Sequence, residues 1–208
     1  MLLYFMPGAC SLASRIALIE LNLPFEASKV DMATGQTDRG VDFRTVNPKG
    51  YVPALAVEPD TVITENPAIL QYIADRGVPS LAPAPGTIGR VRLQEWLNFT
   101  SSELHKAFSP WFSGRELTGE ALERAQAMRD RRIGDVEQAL SDGRAFIVGD
   151  SFTVADAYLF VVLSWSGFIG LDLAPWPGVA AYVARIRDRP AVRAALVAEG
   201  LAPAEGAA

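Results

Sequence analysis

Sulfur and imidazole are scarce in this chain: among 208 residues there is one cysteine, Cys10, and one histidine, His105. One cysteine excludes an internal disulfide framework and any metal site built on several cysteines. It suits a reducing compartment. With a single histidine, no zinc or histidine-rich metal site is expected. No long basic cluster occurs and the formal net charge is −5, which argues against nucleic acid as a partner. The N-terminus has no basic region followed by a long apolar run, so no secretory signal is expected. The most apolar later stretch, residues 157–171, is shorter than a spanning helix requires and carries Ser164, Ser166 and Gly170. The expectation is a soluble, cytoplasmic protein with no membrane partner.

What is present is apolar residue in quantity. Half of the chain is hydrophobic, enough for a substantial core. Residues 1–20 organise the rest. The apolar run 2–5 reads as a strand, Pro7-Gly8 as a change of direction, and 12–21 as a helix. Cys10 and Ser11 stand at the junction. Ser11 is expected to cap the helix, its hydroxyl accepting from first-turn amides. A thiol beside a helix N-terminus feels the positive end of the dipole, which favours the thiolate. Free cysteines are also commonly small buried apolar residues, and on position alone both readings stand.

Further on, residues 25–30 read as a second strand and 32–40 as a loop. Asn47-Pro48-Lys49-Gly50 is a turn. Two short strands follow at 54–57 and 62–63, antiparallel because they are so close in sequence. Glu65-Asn66-Pro67 opens a helix, with Thr64 or Glu65 as its cap and Pro67 in the first turn. The order β-α-β, loop, β-β-α describes a small α/β domain. Residues 77–86 hold three prolines and two glycines and mark a boundary. The expected domains are 1–77 and 88–208, with 78–87 as linker. The second is all helical: one long helix over 88–112, a charged one over 116–140, a buried one over 153–168, and two short ones. The tail from Gly200, rich in alanine, glycine and proline, is expected to fray.

Asn98, Ser102, His105 and Ser109 recur at spacings of four, three and four, so they share one face of the long helix. A polar stripe is usually a solvated face. These small polar residues are not the lysines and glutamates that usually coat such a face, and they suit a cleft. Thr153-Val154-Ala155-Asp156 fits a capping box with aspartate in place of glutamate, a structural device. Val52 could pair its backbone with an extended peptide, the helix start at Asn66 could hold a carboxylate, and Cys10 could meet a thiol.

These stretches resemble the cytosolic glutathione transferases, most closely the bacterial beta class. The resemblance is carried by Pro7-Gly8-Ala9-Cys10-Ser11, Val46-Asn47-Pro48-Lys49-Gly50, Val52-Pro53-Ala54-Leu55, Thr64-Glu65, Ala68-Ile69, Trp96-Leu97-Asn98, Glu103-Leu104-His105-Lys106, and Phe152 through Tyr158. It implies a thioredoxin-like α/β N-terminal domain, an all-α C-terminal domain and a homodimer. It implies glutathione as co-substrate, a cis peptide before Pro53, and no metal. The glutathione-binding residues it implies are Ala9, Cys10, Gly35, Val52, Pro53, Glu65, Asn66, Asn98, Ser102, Glu103, His105 and Lys106, some of them reaching the partner subunit's ligand. Cys10, His105 and Ser11 would carry the chemistry; Phe108, Trp111 and Trp165 would line the second-substrate pocket; Pro53, Thr153 and Asp156 would be structural. Three departures stand out. Gly35-Gln36 occupies a loop where relatives often carry a lysine, so one charge-assisted contact is in question. Asn66 replaces a frequent serine or glycine, and its amide can still donate to a carboxylate. Phe5 stands where many relatives have tyrosine, which excludes activation by a phenol there.

The activity implied is conjugation of glutathione to a hydrophobic electrophile, a detoxification reaction, with disulfide exchange at Cys10 beside it. Two alternatives remain at this level. One is a specialised relative acting as peroxidase, dehalogenase, isomerase or ether-cleaving enzyme. The other is a binding or regulatory protein that kept the fold and lost the chemistry.

Overall fold

Strand β1 (Leu2–Phe5) lies between two neighbours, so its residues face packed layers on both sides and its sequence reads as an unbroken apolar run. The computed structural model describes residues 1–203. Its sheet has the order β2-β1-β3-β4, with β2 at Glu26–Lys29, β3 at Ala54–Glu58 and β4 at Thr61–Thr64. β1 runs parallel to β2, pairing Leu3 with Ala27, and antiparallel to β3, pairing Leu3 with Leu55. β3 and β4 form the expected antiparallel hairpin. The thioredoxin-like mixed sheet is thus as anticipated.

Alternation along β1 separates two layers. Tyr4 enters a cluster with Val30, Phe43, Val52 and Ala54, its ring 5.5 Å from that of Phe43. Phe5 points to the other layer, beneath helix α1 (Ser11–Glu20). That helix is buried from Ser11 to Leu18 and packs on α3 (Asn66–Ala74) and on the last helix of the chain. A four-residue helix, α2 (Phe43–Val46), precedes the Asn47-Pro48 turn, and the Val52–Pro53 peptide is cis.

Helices α4 (Ile88–Phe99), α5 (His105–Phe108), α6 (Gly119–Leu140), α7 (Val154–Phe168) and α8 (Pro177–Arg187) come next in the chain. α7 is buried without a break from Val154 to Leu163 and packs against α4, α5 and α8. Its first turn carries the expected capping box: the Thr153 amide and hydroxyl both donate to Asp156 Oδ2, each at 2.8 Å. Asp156 does more than cap, because Oδ1 also accepts from the Ile147 amide at 2.7 Å and the Tyr182 hydroxyl at 2.8 Å. Glu137 of α6 receives the Gly178 and Val179 amides at the start of α8, satisfying donors a helix start leaves open. Among the described residues no helix is long and apolar enough to cross a membrane.

Two expectations need correction. The long helix over 88–112 is not uniform: residues Thr100–Leu104 form a π-turn and Ser109–Phe112 a 3₁₀ turn. The Ser101 and Ser102 hydroxyls both donate to the carbonyl of Asn98, at 3.1 and 2.9 Å. Such back-bonding competes with the α-helical ladder, and the extra residue rotates α5 by about 100° about the helix axis relative to α4. The polar stripe is therefore split: Asn98 and Ser102 are exposed, whereas His105 and Ser109 are half-buried.

The second correction concerns grouping. The chain divides into Met1–Ala82 together with the chain from Asp188, and Pro83–Arg187. Helix α9 (Pro190–Ala198), expected with the helical domain, packs on α1 in the first unit. The fraying expected from Gly200 falls, beyond residue 203, outside the described residues.

Candidate functional site

In the first unit the turn between β1 and α1 presents Cys10. The cysteine is the residue flanking the helix start, so Ser11 is not the cap expected of it. The Ser11 side chain turns back instead: its hydroxyl donates to the Met6 carbonyl at 3.2 Å and accepts from the Met6 amide at 3.3 Å. Ser11 is fully buried and clasps the turn. Ala9 packs against the Tyr4 cluster. Cys10 is 8% exposed, and its Sγ lies 3.7 Å from the carbonyl oxygen of Val52. The thiol is thereby brought to the residue whose backbone could pair with an extended peptide.

Asn66 ties two helix starts together. Its Nδ2 donates to the Cys10 carbonyl at 3.0 Å, and its Oδ1 accepts from Ser14 Oγ at 2.8 Å. The side chain is 4% exposed. One Nδ2 hydrogen and the amide oxygen thus serve the fold, while the second Nδ2 hydrogen and the first-turn backbone of α3 remain to meet an anion.

Glu65 precedes α3 with φ +67°, a left-handed conformation that is costly for a residue with a side chain. Its carboxylate does not cap the helix. Oε1 accepts from Lys49 Nζ at 2.5 Å and from the Tyr51 hydroxyl at 2.7 Å. The carboxylate raises the pKa of both partners chiefly through these hydrogen bonds. Lys49 and Tyr51 were not singled out from sequence as site residues. Lys49 lies in the quoted turn, but nothing local indicates a partner across the β3–β4 hairpin.

Gly35 sits at φ +72° in the loop after β2, where its amide donates to the Asp31 carbonyl and its carbonyl accepts from the Phe43 amide, both at 2.8 Å. A cavity of about 220 Å³ lies here, lined by Val30, Met32, Gly35, Asp42, Phe43 and Arg44, among others. Neither Cys10 nor Glu65 lines it.

In the second unit His105 opens α5 and is half-buried. Its Nδ1 is 3.0 Å from the Tyr158 hydroxyl, and its ring meets Trp165 edge-on with centroids 4.7 Å apart. Burial, with Lys106 beside it, pushes the imidazole pKa down to about 4, so the ring is neutral near pH 7. Trp165 also touches Phe112, at 5.5 Å, and Phe108, at 6.3 Å. Phe108 is fully buried and supports this cluster from within, whereas Phe112 is half exposed and was not anticipated. Trp111 lies under the Arg129 guanidinium at 4.8 Å. Glu103 pairs with Arg132 at 2.5 Å, and Lys106 is exposed. Among the described residues no group of three or more histidine, cysteine, aspartate or glutamate side chains could hold a metal ion.

Comparison with known proteins bears on both units. Residues 8–76 match the family model described as glutathione S-transferase, N-terminal domain, and residues 119–185 match the corresponding C-terminal domain. The chain is 43% identical to glutathione S-transferase GstA of Escherichia coli O157:H7 over 97% of its own length and 100% of that protein. It superposes on the bacterial beta class glutathione S-transferase of Sphingomonas chungbukensis with TM-score 0.92 and 47% identity, covering 97% of this chain and 100% of that one. A sphingomonad glutathione S-transferase solved in complex with glutathione gives TM-score 0.91 at 48% identity, with the same coverage.

Proposed function

The chain belongs to the glutathione S-transferase family, and from that premise we propose how it acts: glutathione lies in the first unit along Val52, and its thiolate is transferred to an electrophilic small molecule. The observation that carries this reading is the approach of Cys10 Sγ to the Val52 carbonyl at 3.7 Å. It supports the reading because the protein's sulfur stands beside the backbone with which the peptide would pair. In this reading Val52 and Pro53 hold the peptide backbone, and Glu65, fixed by Lys49 and Tyr51, receives the γ-glutamyl ammonium. The α3 N-terminus at Asn66 takes the γ-glutamyl carboxylate. Ala9 and Gly35 complete the proposed contacts of this unit.

Conjugation needs the glutathione thiol ionised, because the thiolate is the nucleophile. Its proton leaves to solvent, a carbon–sulfur bond forms, and the leaving group departs with its electron pair. Exchange at Cys10 is a second reading, supported by the same sulfur position. There the Cys10 thiolate attacks a disulfide, one thiolate leaves, and glutathione thiolate then releases Cys10 as the new disulfide forms. The homodimer, the hydrophobic electrophile, the detoxification role and the cytoplasmic setting belong to the same proposal. Calorimetric titration with glutathione, followed by conjugation of an activated aryl halide, tests it. Binding together with turnover is expected. A chain that binds no glutathione would instead be a regulator built on this fold.

A further inference from the structure

The Gly8 amide, in the turn that carries Cys10, donates to Oε2 of Glu199 at 2.9 Å, across 191 residues of sequence. Glu199 directly follows α9. Its other oxygen, Oε1, accepts from Nε of Arg15 at 2.9 Å, and the Glu199 side chain is wholly buried. The Arg15 guanidinium in turn lies 4.2 Å over the Phe5 ring, with Phe25 at 5.9 Å. A carboxylate at a helix C-terminus faces the negative end of the dipole, and burial opposes its ionisation further: the Glu199 pKa is raised, chiefly by desolvation. A buried ion pair of this kind adds little net stability over an apolar pair. What it adds is a fixed geometry, here at one particular backbone amide.

That amide belongs to a short segment clasped at two points. Ser11 holds Met6 from the helix side, and Glu199 holds Gly8, which takes the left-handed φ of +73° that glycine adopts without cost. Cys10 stands two residues later, with its thiol set against Val52. We propose that Glu199, braced by Arg15, is a positioning residue for the Cys10 turn. It fixes the backbone that sets the reach of the thiol and of the amides opening α1. The proposal rests on the reading that Cys10 borders the glutathione site.

Two readouts test it: the rate of Cys10 alkylation by iodoacetamide without glutathione, and the KM for glutathione in aryl-halide conjugation. Glu199→Ala removes both acceptors. Glu199→Asp keeps a charge for Arg15 but withdraws it from Gly8. In each, alkylation of the buried thiol is expected to quicken about three- to tenfold, with a comparable rise in KM, the range one net hydrogen bond gives. Glu199→Gln, which can still accept from Gly8, should fall closer to the wild type. Tyr182→Phe, a destabilising change in the other unit, should alkylate as the wild type does. If Glu199→Asp or Glu199→Ala, folded by circular dichroism, keeps both wild-type values, Glu199 only anchors α9 and the proposal is wrong. Should Glu199→Ala fail to fold, Glu199→Asp decides by the same values. Because alkylation is read without glutathione, its failure condemns the positioning role alone. A Cys10→Ala enzyme unchanged in all glutathione chemistry would condemn the underlying reading.

Discussion

The Nδ1 atom of His105 lies 3.0 Å from the hydroxyl of Tyr158, which holds the chain's one imidazole against α7 in a half-buried setting. Burial has depressed its pKa to about 4. In the unfolded chain the ring protonates near its ordinary value, so below that value the unfolded state binds more protons than the folded one. The contribution to stability is therefore fully present above about pH 6.5 and is lost as pH falls toward about 4, amounting to roughly 3 kcal/mol at most. Urea denaturation of wild type and His105→Phe at several pH values isolates it, since other groups cancel in the difference. The stability gap should narrow or invert as pH falls through this window. A lone-histidine proton NMR titration with a midpoint near 6.5 would refute the depressed value.

Asp156 receives four donors: the Ile147 and Thr153 amides and the Thr153 and Tyr182 hydroxyls. It is fully buried, and desolvation, the largest influence, raises its pKa against these hydrogen bonds. Asp156→Asn replaces one acceptor oxygen by an NH₂ group that confronts donors. The expected loss is about 3 kcal/mol, against about 1 kcal/mol for Tyr182→Phe, which removes a single bond. Equilibrium unfolding measures both. Equal losses would mean that the network is not governed by donor–acceptor matching.

How far the sequence foretold this molecule depends on the range of the forces involved. The Pro7-Gly8 turn and the Thr153–Asp156 box were legible because each is written within a few residues. The β3–β4 pairing was legible because its strands are nearly adjacent. The Lys49–Glu65 pair was not, since it closes across a hairpin by side-chain reach. The π-turn at Thr100–Leu104 depends on two serine hydroxyls choosing one carbonyl, which periodicity does not register. Glu199 was invisible for the plainest reason: its partners at Gly8 and Arg15 stand at the opposite end of the chain.

The loop after β2 offers a test of the missing lysine. Gly35 occupies the left-handed region at φ +72°, so Gly35→Lys combines any new contact with backbone strain of about 1 kcal/mol or more. Gln36→Lys places the charge next door without that strain. If this loop meets the glycyl carboxylate, Gln36→Lys should tighten glutathione binding by less than about tenfold, as an exposed ion pair allows. Gly35→Lys should gain less and unfold earlier. Calorimetry on both variants is the measurement. An unchanged dissociation constant for Gln36→Lys would place the loop outside the glutathione site.

Cys10 separates the two chemistries proposed for the site. Disulfide exchange needs a sulfur on the protein, so Cys10→Ala should abolish glutathione-dependent disulfide reduction. Conjugation needs only a stabilised glutathione thiolate, and amide donors at the start of α1 remain in the variant. Ser11 is not available to substitute, because its buried hydroxyl is committed to Met6 in both directions. Cys10→Ala should therefore retain part of its transfer to an activated aryl halide, and the same amides should keep glutathione binding within about tenfold. An oxidised wild-type preparation should carry a mixed disulfide between Cys10 and glutathione, visible by mass spectrometry and absent from the variant. Equal loss of both activities with glutathione still bound would make the Cys10 thiol essential to each. Full retention of both would reduce Cys10 to a packing residue against Val52.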